Sequence, residues 1–453
     1  MTLEFLPEEL AVFCNGVWNK VPETTFSGIE TDSRKELSGK LFVALAGEKF
    51  DAHDFLDDAV AKGAALCVRR DKAHLIPDGA AALIVDDTLK AYQDMASGHR
   101  SKMTALKVAA VTGSVGKTSV KEMLRAIFIA ASGEDAVLAT QGNTNNHIGV
   151  PQNLLRLTPD IRYAVIEMGT SSPGEIAVLS RIAQPDTAVV NSIAPCHLEK
   201  LIDLDGVARE KGDIFRCLSS EGTAIIPGDI EQSSILRLSA GSHTIQTFGD
   251  NAGCDVTANF LRGDLSGSSF ELVIGSEHHI VEWQLTGRHQ CRNASAAAAV
   301  ALAFGITPEV IAKGLANTTL PGMRGKVVKS GNATIFNDSY NASPASMAAV
   351  LKMVSESVTN QKVVLLLGTM LELGTNSKDE HRKTLSLARR LFPDAVICTV
   401  GDGFAGIEGS DHHYAVSTDA AEDIFRLTSQ QVVIVAKGSR GTALEKALPP
   451  EAR

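Results

Sequence analysis

The sequence has few of the features that mark secreted or membrane-spanning proteins. Its seven cysteines stand singly, without a Cys-x-x-Cys pair, so we expect neither a disulfide framework nor a zinc cluster, and we expect a reducing, cytoplasmic compartment. The longest apolar run, "ASAAAAVALAF" at 294–304, is too short to cross a membrane. The first ten residues carry acids where a secretory signal carries bases. These absences predict a protein without membrane insertion.

A basic surface is also missing. The chain has 43 Lys and Arg against 53 Asp and Glu, a formal net charge of −10, and its basic residues form no dense block. Nucleic-acid binding is therefore disfavoured, and a polyanionic ligand would have to be held by local loops. The length of 453 residues predicts about three domains. We expect the protein to be a monomer.

Three blocks of different pattern support this domain count. Residues 1–100 contain short apolar runs, "KLFVAL" and "ALCVRR", separated by polar turns. Residues 101–318 begin with the continuous apolar run "ALKVAAVTG", which is typical of a buried parallel strand. Residues 319–453 begin with a turn-rich, hinge-like stretch, "TLPGMRGK", and return to strands that end in glycine. Strands that alternate with helices predict an α/β fold whose central domain is a doubly wound sheet.

The clearest functional motif is "TGSVGKTS" at 112–119. It follows a predicted strand and precedes a helix with one apolar face, formed by Val120, Met123, Leu124, Ile127, Phe128 and Ala131. In such a loop, backbone N–H groups and a helix N-terminus face a phosphate, while the lysine binds the β- and γ-phosphates and the next hydroxyl binds Mg²⁺. Val111 replaces the first glycine of the common pattern, so this is a variant phosphate loop. The loop alone does not identify the nucleotide.

Acidic and imidazole side chains follow the neighbouring predicted strands. Glu167 ends "YAVIEMG", where an unpaired buried charge would be costly and a Mg²⁺ ligand is favoured. His197 follows "DTAVVNS" by a short loop. Ligands bind beyond the carboxyl ends of parallel strands, so both side chains could reach the phosphate loop. From spacing alone, His197 fits a structural histidine better than a ligand.

Other polar stretches are ambiguous when each is taken alone. Lys211, in "VAREKGDIF", could be a solvated helix residue, and the asparagines of "TQGNTNNHIGVP" could cap a turn or contact a substrate. "FNDSYNASPASM" predicts a strand, a turn and a helix that starts at Ser343. Arg324 stands in the hinge-like stretch, and "KGSRG" at 437–441 is a second candidate anion site.

Taken together, these motifs resemble the family of Mur ligases and folylpolyglutamate synthases, whose phosphate loop also lacks the first glycine. The resemblance runs in order over nearly the whole chain. The stretches that carry it are "TDSRKELSGKLFVAL", "GKTSVKEML", "GNTNNHIGVPQNLL", "VIEMG", "HLE", "AREKGDIF", "NDSYNASPASM", "LLGTMLELG" and "AKGSRG".

The resemblance implies an N-terminal domain that binds a UDP-sugar substrate (1–100), a central ATP-binding domain (101–318) and a C-terminal Rossmann-like domain that closes over them (319–453). The implied cofactors are ATP and Mg²⁺, with two ions. The implied ATP-binding residues are Gly113, Ser114, Val115, Gly116, Lys117, Thr118, Ser119, Asn293, Arg324, Asp338 and Asn341. The implied metal-binding residues are Thr118, Glu167, His197 and Lys211, the lysine as a carbamate. The implied catalytic residues are Lys117, Lys211, His197 and Glu167, and the implied substrate contacts are Ser33, Arg34, Asn145 and Asn146.

Within the family, the motifs are most similar to the branch that joins D-Ala-D-Ala to UDP-N-acetylmuramoyl-tripeptide. That resemblance implies an ATP-dependent amide ligase of peptidoglycan precursor synthesis, and so a role in cell-wall biogenesis, cell shape and cell division. Two alternatives stay open at this point: another ligase of the family, which adds a different amino acid or adds glutamate to a folate, and a P-loop NTPase switch. The chain lacks the Asn-Lys-x-Asp tetrapeptide that a guanine-specific switch would carry.

Overall fold

The computed structural model describes residues 3–358 and 361–453. Three sheets follow one another along the chain, within residues 17–85, 107–283 and 326–437. Helices alternate with the strands of each sheet, which confirms the predicted three-domain α/β architecture. The domain limits given above stay predictions, because helices and loops between the sheets could be assigned to either side.

The first sheet is small and mostly parallel. Its strand order is β1-β5-β4-β3-β2, and only β1 runs antiparallel to its neighbour. The strands are β1 (Val17–Trp18), β2 (Ile29–Glu30), β3 (Leu41–Val43), β4 (Ala65–Arg69) and β5 (Ala82–Val85), and the helices are α1 (Pro7–Cys14), α2 (Leu56–Ala61) and α3 (Thr88–Ser101). All three residues of β3 are fully buried, which explains its unbroken apolar sequence.

The central sheet has nine strands in the order β14-β13-β12-β11-β10-β9-β6-β8-β7. Its strands are β6 (Lys107–Thr112), β7 (Val137–Ala139), β8 (Tyr163–Glu167), β9 (Thr187–Val190), β10 (Thr223–Pro227), β11 (Thr244–Gly249), β12 (Val256–Asp264), β13 (Gly267–Ile274) and β14 (Glu277–Trp283). The strands β6 to β12 pair in parallel, whereas β12, β13 and β14 form an antiparallel meander that the sequence analysis did not predict.

Eight helices of the described chain accompany this sheet. They are α4 (Lys117–Ser132), α5 (Gly149–Leu154), α6 (Glu175–Ala183), α7 (Leu198–Leu201), α8 (Leu204–Gly212), α9 (Ser233–Ala240), α10 (Arg288–Ala303) and α11 (Pro308–Ala316). The predicted apolar face of α4 is buried from Val120 to Phe128, but Ala131 is exposed because it lies in the last turn. The apolar run at 294–304 forms most of α10, whose small alanines let it pack closely on the sheet and on α4.

The third sheet has the order β15-β16-β20-β17-β18-β19. Its strands are β15 (Lys326–Ser330), β16 (Ala333–Asn337), β17 (Lys362–Gly368), β18 (Val396–Val400), β19 (His412–Tyr414) and β20 (Val432–Lys437), and its helices are α12 (Pro344–Ser357), α13 (Ser377–Leu391) and α14 (Ala421–Leu427). Ser343 caps α12 through a reciprocal pair of hydrogen bonds with Ser346, as its position before Pro344 predicted.

The first two domains share one hydrophobic core. Tyr92 and Met95 of α3 belong to the same buried cluster as Leu154 of α5 and Leu179 of α6. Polar contacts reinforce this packing: the Arg100 guanidinium donates to the carboxylate of Asp186 at 3.1 Å. Helix α3 therefore joins the N-terminal sheet firmly to the central domain.

The third domain is attached differently. Residues 317–325, which we call the hinge segment, contain neither helix nor strand and lead into β15. Contacts across the interface include the ion pair of Arg288 with Glu356 at 3.5 Å and the packing of Leu265 against the C-terminal core. No helix of the described residues is long and apolar enough to span a membrane.

We predict that Gly314→Ala destabilises the central domain. A Cβ at this position would lie 2.4 Å from the backbone Cα of Ile127 in α4, and a backbone atom can give way only if the two helices separate. The better helix propensity of alanine offsets part of the cost, so we expect the free energy of unfolding to fall by about 1 kcal/mol or more. Thermal unfolding followed by circular dichroism measures the effect.

Gly253→Ala is the matched control, because no atom lies within 4 Å of a Cβ placed there. A Gly314→Ala protein as stable as this control would contradict the close packing of α11 on α4.

Candidate active site

The phosphate loop lies between the end of β6 and the start of α4, as predicted. The ammonium of Lys117 lies across the loop and donates to the carbonyl of Gly113 at 2.8 Å. Ser114 and Val115 form the tip of the loop, while Ser119 is buried in the first turn of α4. Because α4 begins here, its free N–H groups and the positive end of its dipole face the loop.

Two glycines of the loop are required by close contacts with asparagine side chains. A Cβ on Gly113 would lie 1.7 Å from Oδ1 of Asn191, and one on Gly116 would lie 2.6 Å from Oδ1 of Asn293. Gly116 also has φ +82°, a conformation that favours glycine. Asn191, which follows β9, donates to the carbonyl of Val115 at 2.7 Å. The sequence analysis did not identify Asn191. Like Glu167, it is a polar residue at the carboxyl end of a buried strand.

Further hydrogen bonds fix the loop to the segment after β9. The hydroxyl of Ser114 donates to the carbonyl of Ala194 at 2.9 Å, and the N–H of Val115 donates to the hydroxyl of Ser192 at 3.0 Å. The thiol of Cys196 lies 3.3 Å from the Ser114 hydroxyl. The segment after β9 therefore holds the tip of the phosphate loop in place.

Glu167 ends β8 and is 2% exposed. Its carboxylate accepts hydrogen bonds from the hydroxyl of Thr118 at 3.0 Å and from the side-chain amide of Asn145 at 2.9 Å. Both donors are neutral, and no Lys, Arg or His of the described residues forms an ion pair with this carboxylate. A buried carboxylate without a cation is costly, so this arrangement fits a bound divalent cation.

His197 and Lys211 lie near this centre without touching Glu167 directly. Burial lowers the pKa of His197; the charge of Glu372 opposes this shift, and the charges of Lys211 and Lys117 add to it. Lys211, in α8, is 2% exposed. Burial and the nearby charge of Lys117 lower its pKa to about 8, while the charges of Cys196 and Glu210 oppose this shift.

Of the four predicted metal-binding residues, Thr118 and Glu167 are in direct contact. The described residues contain no group of three or more His, Cys, Asp or Glu side chains arranged to hold a metal. A Mg²⁺ site needs fewer, because Mg²⁺ is commonly held by one or two carboxylates together with waters and substrate phosphates. The donor set of Thr118 and Glu167 beside a phosphate loop fits that chemistry.

The C-terminal domain contributes a second group of predicted residues. The ammonium of Lys437, which is buried at the end of β20, lies 2.5 Å from the carboxylate of Asp338 and donates to the carbonyl of Asn341 at 3.0 Å. Lys437 thereby fixes the turn after β16. The sequence analysis placed it only in the candidate anion site "KGSRG".

Arg324 joins the two groups. Its guanidinium donates to the hydroxyl of Thr118 at 3.2 Å and lies 3.5 Å from the centre of the Tyr340 ring. A small cavity between the domains is lined by Arg324, Asp338, Phe336, His289 and Gln290, among others. Burial lowers the pKa of His289 to about 4, so this side chain is a neutral wall of the cavity at neutral pH.

The remaining predicted substrate contacts lie in other surroundings. The guanidinium of Arg34 is largely exposed and forms two hydrogen bonds with Asp32, both at 2.8 Å, while the carbonyl of Ser33 accepts one from Lys62. The side chain of Asn146 accepts the N–H groups of Ile148 and Gly149 at the start of α5. Of the two predicted asparagines, Asn145 thus reaches Glu167 and Asn146 stabilises a turn.

Comparison with known proteins gives matches along most of the chain. Three family models match in succession: "Mur ligase family, catalytic domain" at 25–111, "Mur ligase middle domain" at 111–301 and "Mur ligase, glutamate ligase domain" at 323–453. The UDP-N-acetylmuramoyl-tripeptide–D-alanyl-D-alanine ligase of Escherichia coli K12 is 39% identical over 432 residues, which are 94% of this chain and 93% of that protein. Its counterpart from Haemophilus influenzae is 36% identical and covers 92% of both chains.

A solved structure agrees with these relatives. The crystal structure of MurF from Acinetobacter baumannii superimposes with a TM-score of 0.89 at 33% identity, covering 99% of this chain and 98% of that one. The chain belongs to the Mur ligase family.

Proposed function

We propose that this protein joins D-Ala-D-Ala to UDP-N-acetylmuramoyl-tripeptide at the expense of ATP, giving UDP-N-acetylmuramoyl-pentapeptide, ADP and phosphate for peptidoglycan synthesis. The observation that carries the proposal is the phosphate loop, which lies beside a buried carboxylate, Glu167, in a chain whose full-length relatives carry the name of this ligase.

The chemistry requires activation of a carboxylate, because its oxygen is a poor leaving group. A carboxylate oxygen of the tripeptide attacks the γ-phosphorus of ATP, the bond to the bridging oxygen breaks, and ADP leaves. The amine of D-Ala-D-Ala then attacks the carbonyl of the acyl phosphate, the phosphate leaves, and the nitrogen loses a proton. An amide bond replaces the acyl phosphate.

The protein's contribution to the first step is position and charge. The loop N–H groups and the N-terminus of α4 hold the phosphates, and Lys117 offsets the repulsion between the anionic carboxylate and the anionic phosphate. Asn145 lies against Glu167 and is proposed to orient the reacting carboxyl group. Thr118, Glu167, His197 and Lys211 would hold Mg²⁺, two ions in all. When bound, Mg²⁺ would neutralise charge on the phosphates.

Lys211 is proposed to act as a carbamate. The neutral amine adds to CO₂ and loses a proton, which converts a cation into an acid-like metal ligand. One observation supports this: burial lowers the pKa of Lys211 to about 8, which provides neutral amine near neutral pH.

The contacts to the nucleotide base and ribose and to the UDP group are proposed from the family resemblance. Asn293, Arg324, Asp338 and Asn341 are proposed to surround the nucleotide, with Arg324 reaching its phosphates from the third domain. Ser33 and Arg34 are proposed to bind the UDP group. Closure of the third domain would then exclude water from the acyl phosphate. Unpaired cysteines throughout the described chain support work in a reducing cytoplasm, and we propose a monomer.

The first test measures ATP-dependent phosphate release with UDP-N-acetylmuramoyl-tripeptide, with and without D-Ala-D-Ala. We expect sustained release only with both substrates, because the amine is needed to discharge the acyl phosphate, and we expect the pentapeptide product in the mass spectrum. Sustained release without the peptide substrates would instead favour an NTPase, and release with glutamate in place of D-Ala-D-Ala would favour another ligase.

Lys117→Ala should leave the fold intact and lower turnover about 10³-fold, since it removes a main stabiliser of developing charge. Steady-state kinetics measures the loss, with Lys313→Ala as the control, an exposed lysine of the same domain. Near-normal turnover of the Lys117 variant would exclude the loop as the ATP site.

Lys211→Ala should also lose most of its turnover, and added short carboxylic acids should restore part of it by occupying the place of the carbamate. The rescue is measured as turnover against acid concentration, with Lys211→Met as the control, because its longer side chain fills that place. If Lys211→Ala were fully active, or inactive and not rescued, the carbamate assignment would be wrong.

A further inference from the structure

The loop that follows β17 brings one exposed carboxylate to the central domain. Glu372 lies in this loop, and its Oε2 lies 3.2 Å from Nδ1 of His197. The strand that precedes the loop is parallel to both of its neighbours, so the loop lies at the carboxyl edge of the third sheet. Glu372 was not among the residues that the sequence predicted for the site.

Both partners adopt a backbone conformation that non-glycine residues rarely take. Glu372 has φ +63° and His197 has φ +51°. Such conformations cost free energy and persist where the surrounding structure enforces them, often at functional sites. Because two residues with such backbone conformations contact each other across a domain interface, we infer that the surrounding structure specifies this contact.

The rest of the loop is also fixed. The N–H of Leu371 donates to the hydroxyl of Ser439 at 3.0 Å. Gly374 lies against the central domain so closely that a Cβ would be 2.4 Å from Oε1 of Glu199. The backbone of Glu372 is thus fixed by contacts of the residues before and after it, which places its side chain near His197.

The charge of Glu372 biases the form of the imidazole. The contact at Nδ1 is an ion-pair distance without the geometry of a formed hydrogen bond, and a negative charge on that side favours the tautomer that carries its proton on Nδ1. Nε2 then keeps its lone pair, which is the form that binds a metal. In protein metal sites, a carboxylate in this outer position orients the histidine ring and raises its basicity.

We propose that Glu372 is a positioning residue that the C-terminal domain contributes to the metal site: it holds His197 with Nε2 free for the cation. This inference rests on the proposed function, because it takes His197 as a metal-binding residue. It follows that metal affinity depends on docking of the third domain, and that a bound metal favours docking by the same factor.

The test uses Mn²⁺ as the probe and the full chain with ADP, with binding followed by the electron paramagnetic resonance signal of free Mn²⁺. We expect Glu372→Gln to weaken Mn²⁺ binding about 10-fold or more, as is usual for loss of an outer partner of a metal ligand. Glu422→Gln is the matched control: it also removes an exposed carboxylate of the C-terminal domain, there paired with Arg426 within α14, and should leave the affinity unchanged.

Repeating the substitution in a His197→Ala protein tests whether Glu372 acts on the metal through His197 or by another route. In His197→Ala, the further change Glu372→Gln should cost no additional Mn²⁺ affinity, because the residue through which it acts is gone. If the second change still weakened binding, Glu372 would act on the metal or on domain docking without His197, and the inference would be overturned.

The remaining outcomes distinguish this inference from the proposed function. Equal Mn²⁺ affinity in Glu372→Gln and in the unmodified protein would reduce the contact to a surface ion pair and leave the proposed ligase standing. If the unmodified protein bound no Mn²⁺ with ADP, the metal site itself would fail, and this inference with it.

Discussion

The carboxylate of Glu167 is the group on which the geometry of the site depends. Parallel pairing of β6 with β8 sets Glu167 beside Val111, at the base of the phosphate loop. From there the buried carboxylate binds the hydroxyl of Thr118 and the amide of Asn145, which belong to different loops. An ionised carboxylate is stable in a buried position only when such partners offset the loss of water. Glu167 therefore orders two loops at once: the phosphate loop, which would hold the nucleotide, and the loop of Asn145, which is proposed to hold the peptide.

The features that the sequence predicted correctly are those with a local cause. The strands β6, β8 and β9 are buried on both faces, so their apolar runs are continuous. The phosphate loop needs glycines at 113 and 116 because asparagine side chains occupy the space of a Cβ. Both glycines are part of the sequence motif, so the motif alone predicts the loop. The three-domain α/β fold and the family followed from these features, whereas the roles of the individual site residues stay predictions.

What was missed depends on contacts that no short stretch encodes. Strands β12 and β14 contain runs of exposed or half-buried residues, such as the "EHH" that opens β14, so they show neither a continuous apolar run nor a strict alternation. Asn191 is one polar residue after an apolar run, and only the packed loop reveals that it binds Val115. Glu372 and His197 lie in different domains, so their proximity is a product of docking and leaves no spacing to recognise.

The core that α3 shares with α5 and α6 has a consequence for the mechanics of the protein. Separating the first two domains would expose apolar surface to water, so their shared core opposes motion between them and couples their unfolding. The third domain has its own core clusters and is joined to the other two through the hinge segment and through both polar and apolar contacts. In the proposed closure, the third domain would therefore be the moving part, and the proposed binding surface for the UDP-linked peptide would stay whole while the nucleotide exchanges.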